Sequence, residues 1–134
     1  MNIILSIHPK WAKLIYEGKK TIEWRKNTPS EDFIDKVFLY ETAPVKKITG
    51  CFIYDHYYSL VFGVTKDGKP ADGAEVLVER GCVPIEELKK YAGNNKEIFA
   101  WKFYKVRKFD MPKTLEEFNI KRPPQSWCYT EVEV

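Results

Sequence analysis

Gly18-Lys19-Lys20-Thr21-Ile22-Glu23-Trp24-Arg25 is the stretch on which the reading of this chain turns. A glycine closes the segment before it, and from Thr21 onward apolar and polar residues alternate. Successive side chains of a strand point to opposite faces, so Ile22 and Trp24 share one face while Thr21, Glu23 and Arg25 share the other. The apolar pair reads as core-facing. An acid and a base are then left side by side, roughly 6.5 Å apart along the strand, close enough for both to converge on one polar group. Lys20, in the bend after Gly18, is aimed at the same place. Spacing alone fits equally a solvated ion pair worth less than about 1 kcal/mol.

The segment upstream explains the glycine. Residues 2–7 are a β-rich run broken by His8-Pro9. Pro9 suits the first turn of a helix, where its missing N–H is not needed. Trp11, Leu14 and Ile15 then recur at i, i+3, i+4, with Lys13 and Glu17 four apart on the outer face. Gly18 follows in the position where glycine adopts the left-handed conformation cheaply. Trp11 reads as core rather than as a ligand platform.

The totals bound the class. At 134 residues the chain suits one domain, 1–134, able to bury about two-thirds of its extended surface. Aromatic residues are 15% of it, which supplies core volume and also flat faces for stacking bases. The net charge of +3 is small, but residues 1–26 carry +4 and the remainder −1, so positive charge gathers at the end that holds the quoted stretch. A phosphate-bearing ligand would favour that distribution. Cys51, Cys82 and Cys128 are odd in number and widely spaced, which argues against a disulfide framework and against a zinc site. His8 and His56 form no metal-ligand pattern, so neither a metal nor a cofactor is expected. The opening apolar run is too short for a signal peptide and no segment is long enough to span a membrane, so a cytoplasmic protein is expected.

Further along, 36–40 reads as a central strand and 48–55 as another, with Gly50 marking a bulge or a close backbone approach. The cluster 54–58 of Tyr54, Asp55, His56, Tyr57 and Tyr58 at that strand's end reads either as a pocket lining or as an ordinary edge. Residues 60–64 and 74–78 read as two short β-runs around Asp67-Gly68 and Asp72-Gly73 turns, a loose hairpin. A second helix is expected over 83–91, opened by Pro84 and closed by Gly93. A strong strand over 98–106 ends before Met111-Pro112, and 114–118 makes one helical turn capped by Thr114. After the stiff Pro123-Pro124, the tail alternates, placing Cys128, Thr130, Val132 and Val134 inside. Trp127 and Tyr129 then share a face with Glu131 and Glu133, which calls for a ligand or a covering loop. Five to seven short strands and two main helices give an α+β fold, or a small barrel with helices packed on it.

Gly18-x-Lys20-x-x-Glu23-x-Arg25 resembles the G-x-K-x-x-E-x-R signature of the ASCH domains, relatives of the PUA-like RNA-binding modules. The resemblance extends to Ser6-Ile7-His8-Pro9-Lys10, to 35–40, to Ala100-Trp101-Lys102 and to Pro123-Pro124-Gln125-Ser126. It implies a PUA-like mixed β-barrel with two main helices and a cleft that binds RNA, a nucleotide or a modified nucleoside. On this chain it places Lys20, Glu23 and Arg25 in the cleft, with Gln125, Ser126, Trp127 and Tyr129 as further ligand contacts. Lys20 would neutralise a phosphate or polarise a carbonyl, Arg25 would offer a planar fork, Glu23 would accept from an exocyclic amine, and the aromatics would stack a base. One branch of the family removes the acetyl group of N4-acetylcytidine with a Lys, a Thr and a Glu. Lys20 matches the lysine, but Glu23 stands where that branch has its threonine, and Glu75, Glu79, Glu86 and Glu87 compete for its acid. Binding is therefore expected ahead of hydrolysis of a modified nucleoside or of RNA, in which Lys20 and Glu23 would take the acid–base roles.

Overall fold

The computed structural model describes residues 1–31, 33–61 and 74–134, with side chains of the helix that begins at Ala74 described from Leu77 onward. In chain order the elements are β1 (Asn2–Ile7), α1 (Pro9–Tyr16), β2 (Ile22–Arg25), β3 (Lys36–Glu41), β4 (Lys47–Val61), α2 (Ala74–Gly81), α3 (Ile85–Ala92), β5 (Glu97–Lys113), a short 3-10 turn (Glu116–Phe118) and β6 (Trp127–Thr130). The six strands form one sheet in the order β2-β5-β4-β3-β1-β6, so the fold is a mixed α/β sheet with three helices. Among the described residues the order is open, running from β2 at one end to β6 at the other, where a closed barrel was expected. The chain divides into two compact units, one of Met1–Gly18, Pro29–Tyr54 and Phe103–Val134, the other of Lys19–Thr28 and Asp55–Lys102.

The first unit is built on β1, every residue of which is buried. It pairs parallel with β3 and antiparallel with β6, so the backbone groups on both of its edges are paired. Ser6 at its end is satisfied by donating its hydroxyl to the Pro124 carbonyl at 2.6 Å and its N–H to the Ser126 carbonyl at 2.9 Å. α1 starts as its sequence indicates. His8 Nδ1 accepts the Lys10 N–H at 3.1 Å, Pro9 occupies the first turn, and Gly18 follows the helix at φ +77°. Ala12 and Ile15 are buried, while Trp11 is half-buried with the Lys10 ammonium 4.6 Å from its ring centroid.

Gly50 meets both expectations set for it. The β3–β4 register shifts beside it, between Leu39 and Tyr40, and a Cβ there would collide with the Arg107 carbonyl oxygen and the Tyr16 ring. Phe52 lies opposite Val37 and Phe38 opposite Cys51, so the two phenylalanines point to opposite faces of the sheet. β5 reaches both of them: Phe103 stacks on Phe52 at 4.1 Å and Phe109 lies 6.4 Å from Phe38. Residues six apart on a regular strand would share a face. Lys105, at φ +49°, sits between them and supplies the extra residue that reverses the parity, as a bulge does. On the Phe38 side the core is Ile4, Phe38, Tyr40, Ile48, Cys51, Phe109 and Phe118.

The second unit buries Ile22, Trp24, Leu60, Leu88, Ala92, Ile98 and Ala100, with Leu77, Val78, Val83 and Ile85 packed against them. α3 carries Glu86 and Glu87 in its first turn and Lys89 and Lys90 in its last, the charge order its dipole favours.

Several sequence expectations are corrected. Residues 74–78 belong to helix α2, not to a β-run; Leu77 and Val78 of this stretch pack on the Ile22–Trp24 cluster, and that packing overrides the β-propensity of a valine-rich pentapeptide. The Asp-Gly turns of the expected hairpin lie outside the described residues, and Leu60 and Val61 close β4. β4 runs unbroken through Asp55 and His56, so the 54–58 cluster is mid-strand rather than at a strand end. β5 continues through Met111 and Pro112 to Lys113. β6 ends at Thr130, so the alternating 131–134 is not a strand, and Val134 is exposed. Among the described residues no helix is long and apolar enough to cross a membrane.

Candidate functional site

β2 pairs antiparallel with β5, Glu23 opposite Trp101 and Arg25 opposite Phe99, and this fixes the parity read from the sequence. Ile22 and Trp24 enter the core of the second unit. The other face is not open to water, however. The Glu23 side chain is 6% exposed, that of Lys20 0% and that of Arg25 12%. The three form one ion network. Lys20 Nζ stands 3.4 Å from Glu23 Oε1, and Arg25 Nη2 donates to Glu23 Oε2 at 3.1 Å. The Trp24 N–H also donates to Glu23 Oε1, at 3.0 Å. Both carboxylate oxygens are therefore engaged.

The end of α2 meets this network at Lys20. Lys20 Nζ donates to the carbonyl of Gly81, the last residue of α2, where the negative end of the helix dipole favours a cation. The Thr21 N–H donates to the Arg80 carbonyl at 2.9 Å, and Cys82 Sγ donates to the Lys19 carbonyl at 3.3 Å. A Cβ at Gly81 would run into the Trp24 indole, so glycine lets the two elements approach. Residues 19–21 are thus laced to residues 80–82.

Burial alone would push the Glu23 carboxyl above its ordinary range. The charges of Lys20 and Arg25, together with the hydrogen bonds from Arg25 and Trp24, outweigh that and hold it below. Glu23 is a permanent anion at neutral pH. Tyr91 of α3 is drawn into the same field: burial raises its phenol, with Arg25 lowering it and Glu23 raising it, and Lys26 Nζ lies 4.9 Å from its ring centroid. Trp101 Nε1 donates to the Asn27 carbonyl at 3.1 Å and ties down the chain just past β2. Gly81, Tyr91 and Lys26 are members of this surrounding that the sequence did not single out.

Gln125, Ser126, Trp127 and Tyr129 lie in the first unit. Gln125 is exposed, and the Ser126 carbonyl closes the β1 ladder by accepting from Ser6. Trp127 and Tyr129 meet edge-on at 5.2 Å. The Tyr129 hydroxyl accepts the Ser30 N–H at 2.8 Å, so the covering loop that the exposed aromatics called for is present over Tyr129. In the second unit, Asp55 Oδ2 lies 3.1 Å from His56 Nδ1, and Tyr57 meets Phe99 edge-on at 5.4 Å. Among the described residues no three His, Cys, Asp or Glu side chains gather as metal ligands would.

Comparison with known proteins identifies a family. The model of the ASCH domain matches residues 5–113, which takes in the Lys20–Glu23–Arg25 stretch and stops short of Gln125. A protein of Zymomonas mobilis named ASCH domain-containing ribonuclease is 38% identical over 47 residues, 35% of this chain and 32% of that one. The ATP synthase subunit alpha of Ureaplasma parvum is 29% identical over 128 residues, 96% of this chain and 15% of that subunit. The chain thus spans under a third of the length of either curated relative. The crystal structure of ASCH from Zymomonas mobilis superposes with a TM-score of 0.76 at 20% identity, covering 97% of this chain and 87% of that one. A mutant of that protein gives 0.74 at the same identity, with 97% and 90% covered.

Proposed function

The chain belongs to the ASCH domain family, and we propose on that footing that it binds RNA or a nucleotide through the polar face of β2, with Arg25 as the presenting group. The observation that carries this reading is the buried Lys20–Glu23–Arg25 network. Burying three charges costs more in desolvation than it returns in stability, and apolar residues of similar volume would serve a core at least as well. A charge network held at such a cost, with its central carboxyl shifted downward, fits a site better than a scaffold. In this reading Glu23 does not read a base, since both of its oxygens are engaged; it orients Lys20 and Arg25. Arg25, the most exposed of the three, offers its guanidinium fork to a phosphate or to a base acceptor. Gln125, Ser126, Trp127 and Tyr129 are proposed as separate contacts offered by the first unit. The PUA-like relationship and the cytoplasmic setting belong to the same proposal.

Arg25→Ala is expected to weaken the binding of a labelled single-stranded RNA by about tenfold or more, and Arg25→Lys to recover only part of it. Unchanged affinity in both variants, with the wild-type fold retained, would refute the assignment.

RNA cleavage is the second reading, favoured by the Zymomonas relative that is named a ribonuclease. A carboxyl held ionised and doubly engaged is a poor proton donor, so Lys20 rather than Glu23 would have to act on the reacting group. Incubation with RNA and with N4-acetylcytidine separates the two readings: both substrates recovered intact would leave binding alone.

A further inference from the structure

Twelve consecutive residues, 98–109, carry Lys102, Lys105, Arg107 and Lys108 and not one carboxylate. β2 pairs with β5 only as far as Lys102, so in the first unit the far edge of β5 has no strand beside it among the described residues. Residues 104–108 are all exposed, although a half-buried strand should hide every second one. Lys105, left-handed at φ +49°, lies within this exposed run, where such a residue interrupts the regular alternation.

The three cations of this segment have no carboxylate within ion-pair distance among the described residues. They lie against aromatic rings instead: Lys105 Nζ is 5.9 Å from the Tyr104 centroid, Arg107 Cζ 5.5 Å from Phe109 and Lys108 Nζ 5.4 Å from Tyr16. Such contacts orient a cation without neutralising it. Tyr104, with 47% of its surface exposed, adds an open ring to the same segment. Lys113 also lies over Phe109, but its charge reaches Glu117, and Asp110 follows on the strand, so the positive segment ends at Lys108.

We propose that the exposed edge 104–108 of β5 is a docking track for the phosphate backbone of single-stranded RNA, with Lys105, Arg107 and Lys108 on phosphates and Tyr104 stacking a base. Unneutralised cations interleaved with an open ring are the combination that single-stranded nucleic acid requires. An edge strand also uses lysine to repel other strands, and that role alone would need neither the ring nor an arginine. The track rests on the RNA-binding reading but uses none of the residues of the β2 site.

The test uses the full chain with two probes, a fluorescein-labelled uridine dodecamer and uridine 5′-monophosphate. In the variant Lys105→Gln/Arg107→Gln/Lys108→Gln, dodecamer affinity is expected to fall by about tenfold or more at low salt. The slope of log affinity against log salt should shrink by about 2, as losing three phosphate contacts on a single strand requires. Tyr104→Ala should weaken the dodecamer with the slope kept, and monophosphate binding should be unaltered in either variant. If the triple variant does not fold, Arg107→Gln/Lys108→Gln leaves the left-handed backbone at Lys105 untouched and should lose slope in proportion. An unchanged slope with dodecamer affinity kept would overturn the track while leaving the β2 reading intact. Loss of the slope with Arg25→Ala neutral would do the reverse. A wild-type chain that ignores the dodecamer, or a variant whose only change is the loss of a self-paired dimer in ultracentrifugation, would also overturn it.

Discussion

Glu23 Oε2 accepts from Arg25 Nη2 at 3.1 Å while Oε1 faces Lys20 Nζ at 3.4 Å, so one carboxylate two residues before an arginine and three after a lysine holds both. A solvated pair at this spacing would contribute less than about 1 kcal/mol. The burial of Glu23 and Lys20 removes that option and makes the three charges interdependent.

Replacing Glu23 with Gln takes a counter-charge away from the buried Lys20 ammonium. The loss is expected to be about 3–5 kcal/mol by urea denaturation. Adding Lys20→Met should restore part of it, because the buried positive charge is then gone as well. A double variant less stable than Glu23→Gln alone would contradict the pairing.

The same carboxyl sets an acid limit. Its folded-state pKa lies below the ordinary value of 4.5, so ionised Glu23 contributes stability that is fully present above about pH 4.5. That contribution is lost as the pH falls from there through the lowered folded-state value. Melting temperature followed from pH 6 downward should drop more steeply for the wild type than for Glu23→Gln; parallel profiles would exclude the linkage.

Gly81→Ala and Gly50→Ala test two close approaches. A Cβ at residue 81 meets the Trp24 indole, a side chain that can shift a little, and a cost of about 1–3 kcal/mol is expected. At residue 50 it meets the Arg107 carbonyl, part of the strand backbone, and the cost should be at least as large. Thermal melts of the two variants measure both.

Tyr129→Phe removes the oxygen that accepts the Ser30 N–H. A stability change of about 0.5–1.5 kcal/mol is expected, with faster amide exchange confined to residues 30 and 31. If exchange there does not change, the loop is held by something else.

Phe38 lies 4.8 Å from Phe118 and 6.4 Å from Phe109, both distant in sequence. Truncation to Ala should cost about 3–5 kcal/mol in chemical denaturation.

The local order of this chain was legible wherever one residue type answers one local demand. Gly18 after α1, Pro9 at its start, the alternation of Ile22 and Trp24, and the bulge at Gly50 all follow from backbone geometry and side-chain period. The family signature drew attention to these three charges for the same reason: it is a local spacing. Elements whose type depends on what they pack against were misread. Residues 74–78 are valine-rich, yet form a helix because Leu77 and Val78 meet the Ile22–Trp24 cluster. β4 continues through a polar aromatic run that reads as an end. Strand parity could say that Glu23 and Arg25 face away from Ile22, but not whether anything covers that face. Glu23 is buried there all the same, and the carbonyl of Gly81, some sixty residues later, takes the ammonium of the lysine that pairs with it. The sequence by itself determined which side chains stand together on β2. Only the tertiary structure decided that they stand out of water, because desolvation depends on atoms that are near in space and far along the chain.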